Sequence, residues 1–192
     1  HERAAMAFVL KKVLFYERHA PAGTWRNRVM LIADDNEQGD DPDPLGWAHL
    51  MQTSDLDSTH TPDHVDRAPV YLHTYPDGAG ATKPEAKAAI KETVNEGVLM
   101  FNYIGHGSPF KIADETVLSD VDAGTFTNAL RPTLFVAASC DVGKFSDPTV
   151  QSLGERMVLA PNGGAVAVVS ATEIAYSSFN VSLNTEFYDQ LF

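Results

Sequence analysis

A single cysteine, Cys140, stands in 192 residues. One thiol cannot close an internal disulfide, so this chain has no disulfide framework to fold around. Basic residues are scarce as well. Fourteen Lys and Arg against 26 Asp and Glu give a formal net charge of −12. A nucleic-acid footprint is normally a basic face, and an anionic membrane surface attracts basic segments, so both partner classes are disfavoured. Nowhere do 18 apolar residues run together, and no segment reads as a membrane span. The opening stretch HERAAMAFVLKK lacks the basic-then-apolar order of a signal peptide. Because the chain starts on His1 without Met, it is read as a piece of a longer or processed protein whose localisation signal is expected elsewhere.

What is present suits one globular domain over residues 1–192. A chain of 20.9 kDa with 44% hydrophobic residues buries roughly 70% of the surface its unfolded form exposes, enough to fold without a metal. The negative charge is concentrated. From Asp34 to Asp66 there are ten acids and no Lys or Arg, which accounts for −10 of the −12. The rest of the chain is nearly neutral.

Apolar residues at helical spacing predict a helix over 3–19, ended by Pro21 and Gly23. Arg28–Ala33 is an almost wholly apolar run, the pattern of a strand covered on both faces. The acidic loop follows, broken by Gly39, Pro42 and Pro44, and Pro44–Ser54 is read as a helix. Further strands are expected at Pro69–Thr74, Val98–Ile104, Thr133–Ala138 and Gly164–Ser170. Helices are expected at Lys83–Asn95, with Thr82 as N-cap and Gly97 as C-cap, at Gln151–Leu159, and at Val181–Phe192. Alternating helices and apolar strands predict an α/β fold with a mainly parallel sheet between helical layers.

Parallel α/β sheets place ligands outside the carboxyl ends of their strands. The first strand ends in Asp34-Asp35, the third in Gly105-His106-Gly107, the fourth in Ser139-Cys140-Asp141, and the fifth in Ser170-Ala171-Thr172-Glu173. A lone Cys is read equally as a small buried hydrophobe or as a nucleophile. A thiolate nucleophile needs a base, and His titrates near neutrality. If the third and fourth strands are neighbours, Cys140 and His106 emerge about 5 Å apart along the sheet, and the Gly107 and Cys140 amides are placed to hold an oxyanion. His60 and His64 have a spacing that suits zinc but no second ligand pair, and they read as loop residues. Glu155, early in its helix, favours the helix dipole.

The string Asn102-Tyr103-Ile104-Gly105-His106-Gly107, followed by Phe135-Val136-Ala137-Ala138-Ser139-Cys140, resembles the His-Gly and Ala-Cys signatures of clan CD cysteine peptidases. Within that clan the chain resembles the gingipain family and, inside it, the cell-surface sortase of the type IX secretion system. The likeness continues through Trp25-Arg26-Asn27-Arg28 to Asp35, Lys144-Phe145-Ser146-Asp147-Pro148, Gly154-Glu155, Asn162-Gly163-Gly164-Ala165, and Asn184 to Phe192. It implies a caspase-like α/β/α sandwich and a cysteine endopeptidase working through an acyl-enzyme, processing or transpeptidating secreted proteins at an extracytoplasmic or bacterial cell-surface location. Cys140 would be the nucleophile, His106 the general base, Gly107 and Cys140 the oxyanion hole, and Asp35 the third acid, with Asp34 as its alternative. Glu173 would hold a basic P1 side chain, although the secretion sortases are expected to carry Arg near this position. No cofactor is required. Gingipains use calcium, so a structural Ca²⁺ is expected in the run Asp34–Asp41. Protein or peptide substrates and other domains of the parent chain are the expected partners. The competing reading is a catalytically silent domain that binds protein partners on the same scaffold.

Overall fold

The computed structural model describes residues 2–35 and 47–192. Residues 36–46 lie outside the described residues, and with them the Pro44 start of the second expected helix and most of the expected calcium-binding run.

In chain order the elements are α1 (Glu2–Arg18), β1 (Arg28–Ala33), α2 (Trp47–Asp55) with a π-helical turn at Leu56–His60, β2 (Asp66–Tyr71), α3 (Pro84–Glu96) and β3 (Met100–Ile104). There follow a small hairpin of β4 (Lys111–Ile112) and β5 (Leu118–Ser119), then α4 (Asp120–Ala123), β6 (Thr133–Ala138), α5 (Leu153–Leu159), β7 (Ala165–Ser170) and α6 (Ser177–Leu191). Five strands form one sheet in the order β2-β1-β3-β6-β7. Every neighbouring pair in it is parallel. Both faces of the sheet are covered, as the apolar strands require. Met30, Ile32, Phe101 and Phe135 face a core shared with Ile90 and Val94 of α3 and Leu153 and Met157 of α5. Val29, Leu31, Met100 and Val136 face a second core with Leu56 and with Tyr188 of α6. The architecture is the expected three-layer α/β/α sandwich.

Several boundaries differ from the sequence reading. β2 begins at Asp66 rather than Pro69, and His73 and Thr74 fall in a 3₁₀ turn beyond it. Pro69 sits inside the strand opposite Leu31. It is tolerated because β2 is an edge strand, where a missing N–H breaks no second ladder. Thr82 is not the cap of α3. Its hydroxyl donates to the Ala79 carbonyl, while Lys83 occupies the N-cap position. α6 starts at Ser177, four residues before the expected Val181. The hairpin β4–β5 and the single turn α4 were not anticipated, being too short to show a period.

Two polar ties fix the layers. Lys12 of α1 donates its ammonium to the carbonyls of Val158 (2.6 Å), Gly163 (2.9 Å) and Ala160 (3.0 Å), at the end of α5 and the turn into β7. Those carbonyls have no helical partner, so one side chain docks α1. In the second core, Asn102 of β3 donates to Asn184 Oδ1 of α6 at 2.8 Å, and Asn184 donates back to Asn102 Oδ1 at 3.3 Å. Both are buried. Truncating either residue leaves a buried amide unpaired, at a cost of about 1–3 kcal/mol. Asn184→Ala and Asn102→Ala should each lower the urea midpoint, and the double variant should lose less than the sum. Strict additivity in that double-mutant cycle would show that the pair is not energetically coupled.

Candidate active site

The register of the sheet brings the expected residues to one rim. Ala33 lies opposite Ile104, and Ile104 opposite Ala138. One residue further along are Asp34, Gly105 and Ser139; two residues further are Asp35, His106 and Cys140. The third and fourth strands read from the sequence, β3 and β6, are direct neighbours, so His106 and Cys140 leave the sheet at the same depth.

Two glycines make this turn possible by the space they leave. A Cβ on Gly105 would fall 2.3 Å from Asp34 Cβ and 2.4 Å from Tyr103 Oη. A Cβ on Gly107 would fall 2.2 Å from Ser139 Oγ and 2.8 Å from Val142 Cγ2. Any other residue would push the His106 turn off the Ser139-Cys140 segment.

Asp34 is buried at 3% exposure. Its Oδ2 accepts the His106 backbone N–H at 2.8 Å and lies 2.9 Å from Tyr103 Oη, and its Oδ1 accepts the Asp35 N–H at 3.0 Å. Burial pushes the Asp34 carboxyl upward, opposed by the His106 and Tyr103 hydrogen bonds and by the nearby His49 and His106 rings. Tyr103 is fully buried, and burial together with the Asp34 charge holds its hydroxyl well above its ordinary value. It therefore stays a neutral donor. The same hydroxyl lies 2.6 Å from the His106 carbonyl and accepts the Ala113 N–H at 3.0 Å.

Asp35 is turned the other way. Lys83 Nζ stands 2.9 Å from Asp35 Oδ2, both side chains being buried. That contact is an ion pair by distance without the directed geometry of a hydrogen bond, and among the described residues the Asp35 carboxylate oxygens have no hydrogen-bond partner. Lys83 also donates to Asp77 Oδ1 at 2.8 Å and to the Tyr75 carbonyl at 3.2 Å. Glu115, between β4 and β5, joins this cluster. One ligand oxygen from each of Asp34, Asp35 and Glu115 lies within 4.8 Å of the others. Burial, then the charges of Asp35 and Asp34, push Glu115 up to about 7.

His106 is exposed and its ring meets that of His49 from α2 edge to face, with centroids 5.3 Å apart. Cys140 is half-buried. Its Sγ lies 3.4 Å from the Ala175 carbonyl, the acceptor for the thiol proton, and receives the Ala175 N–H at 3.5 Å. The segments after β6 and β7 are zipped together beside it. Gly143 N–H donates to Ala171 O at 3.1 Å, and Asp141 N–H to Glu173 O at 3.3 Å. Asp141 adopts a left-handed φ of 56°, which turns the chain immediately past Cys140. Glu173 is exposed, and its carboxylate accepts from Ser146 Oγ at 2.7 Å and Lys144 Nζ at 3.4 Å. Lys144 also bonds Asp141 Oδ1 at 2.7 Å.

Of the other sequence candidates, His60 pairs with Asp189 at 2.6 Å and takes no part in the rim. Glu155 closes a reciprocal capping box with Ser152 at the start of α5. Sequence reasoning missed His49, Tyr103, Lys83 and Glu115. Tyr103 stood inside a motif already singled out, and its position three residues before the His106 turn was the available signal. Nothing in the spacing of the others marked them.

Known proteins agree with this architecture. The profile described as Peptidase family C25 matches residues 2–192. Among solved structures, the chain is similar to one described as a protease, at 21% identity and a TM-score of 0.67, with 91% of this chain and 35% of that chain covered. It is similar to gingipain R (RgpB), an Arg-specific cysteine proteinase, at 16% identity and a TM-score of 0.67, covering 97% of this chain and 41% of that one. It also resembles the complex of the pro- and mature domains of RgpB from Porphyromonas gingivalis, at 17% identity and a TM-score of 0.66, covering 95% and 41%. No curated protein matches. The chain thus spans 35–41% of the length of the structures it resembles, shares their caspase-like α/β/α fold, and belongs to peptidase family C25.

Proposed function

We propose that this domain is a cysteine endopeptidase that cleaves protein substrates through a thioester acyl-enzyme, with Cys140 as nucleophile and His106 as general base. The observation that carries the reading is the pairing of β3 with β6, which brings the Gly105-His106-Gly107 turn against Ser139-Cys140. Cys140 Sγ attacks the scissile carbonyl, and its proton passes by way of His106 to the departing amine. Water then hydrolyses the thioester, returning a proton through His106. A second amine arriving in place of water would give transpeptidation by the same intermediate. The Gly107 and Cys140 amides are the proposed oxyanion donors, and among the described residues neither donates elsewhere.

Two features qualify how the site starts. The resting thiol bonds to Ala175 and not to His106, so activation waits for substrate to displace that contact. Asp34, rather than the sequence choice Asp35, is the acid proposed to position His106, because Asp34 is the one bonded to the His106 segment. We assign substrates among secreted proteins, and an extracytoplasmic or cell-surface location, on the family likeness; the secretion-sortase likeness favours processing over digestion. Other domains of a longer parent chain are its proposed covalent partners.

With a full-length parent chain and a fluorogenic peptide, Cys140→Ala should abolish turnover. His106→Ala should lower kcat by about 10²–10⁴-fold, the usual reach of a general base. Asp34→Asn should lower kcat with little change in KM. A peptidyl chloromethyl ketone should alkylate Cys140, read by mass spectrometry. Full activity in Cys140→Ala would refute the assignment, and an inert, unlabelled Cys140 would favour the silent binding module.

Specificity is proposed to favour Lys or Arg at P1, held by Glu173. Lys144 already shares that carboxylate, and so competes for it with a basic P1 group. Lys144→Ala should therefore lower KM for basic P1 substrates, and Glu173→Gln should raise it. A cleavage profile dominated by acidic or aliphatic P1 residues would rule this out.

A further inference from the structure

The chemistry proposed for Cys140 asks more of His106 than its backbone supplies. Asp34 and Tyr103 hold this turn through the His106 N–H and carbonyl. Both contacts act on the main chain, and the two side-chain torsions are set by what the ring touches. A general base serves only within hydrogen-bond reach of the proton it takes, and a misplacement of about 1 Å can cost on the order of 10²-fold in rate. His106 is an exposed residue, so rotamer freedom is the default unless a neighbour removes it.

The neighbour is His49. Its ring meets the His106 ring with centroids 5.3 Å apart and planes at 83°, inside the range of about 4.5–7 Å where the edge of one ring attracts the face of another. We propose that His49 is a positioning residue for the peptidase reaction, holding the His106 imidazole edge to face in the orientation that serves Cys140. This rests on His106 being the general base. His49 acts through another side chain rather than on substrate. An edge-to-face contact orients a ring without moving a proton, so it asks of position 49 an aromatic plane and not a titrating group.

His49 itself stands on a fixed support. It lies in α2, which packs against β1 and β3, the strands that lead into Asp34 and the His106 turn. The residue is half-buried, and its carbonyl accepts the Thr53 hydroxyl at 2.8 Å one turn on. Burial raises the Asp34 carboxyl, and the charges of His49 and His106 oppose that rise, which gathers both rings close to the end of β1. Three residues along α2, on the same helix face, Gln52 Nε2 donates to Ser177 Oγ at 3.0 Å. Ser177 opens α6, two residues past the Ala175 backbone that holds Cys140 Sγ. One helix therefore touches the turn carrying His106 through His49, and the segment holding Cys140 through Gln52.

The test uses the full-length parent chain and reads more than turnover. Against a fluorogenic peptide, His49→Ala should lower kcat by about 10–10²-fold with KM unchanged within about twofold. His49→Phe keeps the aromatic plane and should restore kcat to within about threefold of the parent. A residue with a role in stability alone would lower Tm and leave the kcat of the folded enzyme as it was. In a His106→Ala background, His49→Ala should add no further loss. Independently of activity, relaxation of the ¹³C-labelled His106 ring should show it ordered in the parent and in His49→Phe, and mobile on the ps–ns timescale in His49→Ala. Should His49→Ala not fold, His49→Leu serves the same purpose. The inference would be overturned by an unchanged kcat in His49→Ala, by His49→Phe as impaired as His49→Ala, or by a His106 ring equally ordered in all three. Full activity in His106→Ala would instead refute the dyad, an outcome that variant shows by itself.

Discussion

The carboxylate of Asp34 is the fixed point on which the rim depends. A carboxylate buried to this degree is strongly unfavourable unless donors surround it. Here they come from separate places: the next residue's own N–H, the Tyr103 hydroxyl of β3, and the His106 N–H beyond β3. Satisfying one buried charge therefore fixes the end of β1 against the end of β3. Tyr103 extends the constraint, since its hydroxyl also receives the Ala113 N–H and so fastens the β4–β5 hairpin to the same point. The His106 turn is thus held by its backbone, and its imidazole, on an exposed residue, packs edge to face against His49.

Cys140, the proposed nucleophile, is positioned by the same logic from the other side. Cys140 is not held by His106 in the resting state. It is held by the antiparallel zip between the segments following β6 and β7, which ends at Ala175. Gly107 and Ser139 are the point where the two constraints meet, because only a hydrogen in place of a side chain lets the His106 turn reach the Ser139 hydroxyl. The dyad proposed here, arranged this way, would need no direct hydrogen bond to be aligned. In the proposed mechanism the backbone carries the alignment, and proton transfer would await a substrate carbonyl between the two side chains.

The strands of the sheet were largely legible because their chemistry is local. RVMLIA and TLFVAA are apolar on both faces, and only a doubly covered strand suits such runs; β1 and β6 match them to the residue. The rim residues followed from strand ends alone, and they do meet at one edge. Boundaries failed where a tertiary condition decided them, as at Pro69, which an interior strand would have excluded and an edge strand admits. The role of Asp34 was not legible, since a carboxylate beside further acids reads as solvated until Gly105 and Tyr103 are seen to enclose it. Glu115 and Lys83 were beyond reach, because their meeting with Asp35 depends on a hairpin too short to predict and on the first residues of α3.

The charge excess of −12 divides into two kinds of acid. Asp57 pairs with Arg67 at 2.8 Å and Asp122 with Lys87 at 2.6 Å, ion pairs that reach outside their own elements. Such partly exposed pairs each contribute little to stability. Asp34, Asp35 and Glu115 differ in being withdrawn from water and pressed together, with Lys83 paired to Asp35 and the His49 and His106 rings near Asp34. Repulsion of that kind is costly to a fold that gains nothing from it, and substitution of any one of the three by a neutral residue would relieve it. The cluster lies directly behind the backbone that carries His106, which makes the charge a property of the rim rather than of the surface. Whatever neutralises it, proton or cation, acts on the same carboxylate that holds the turn in place.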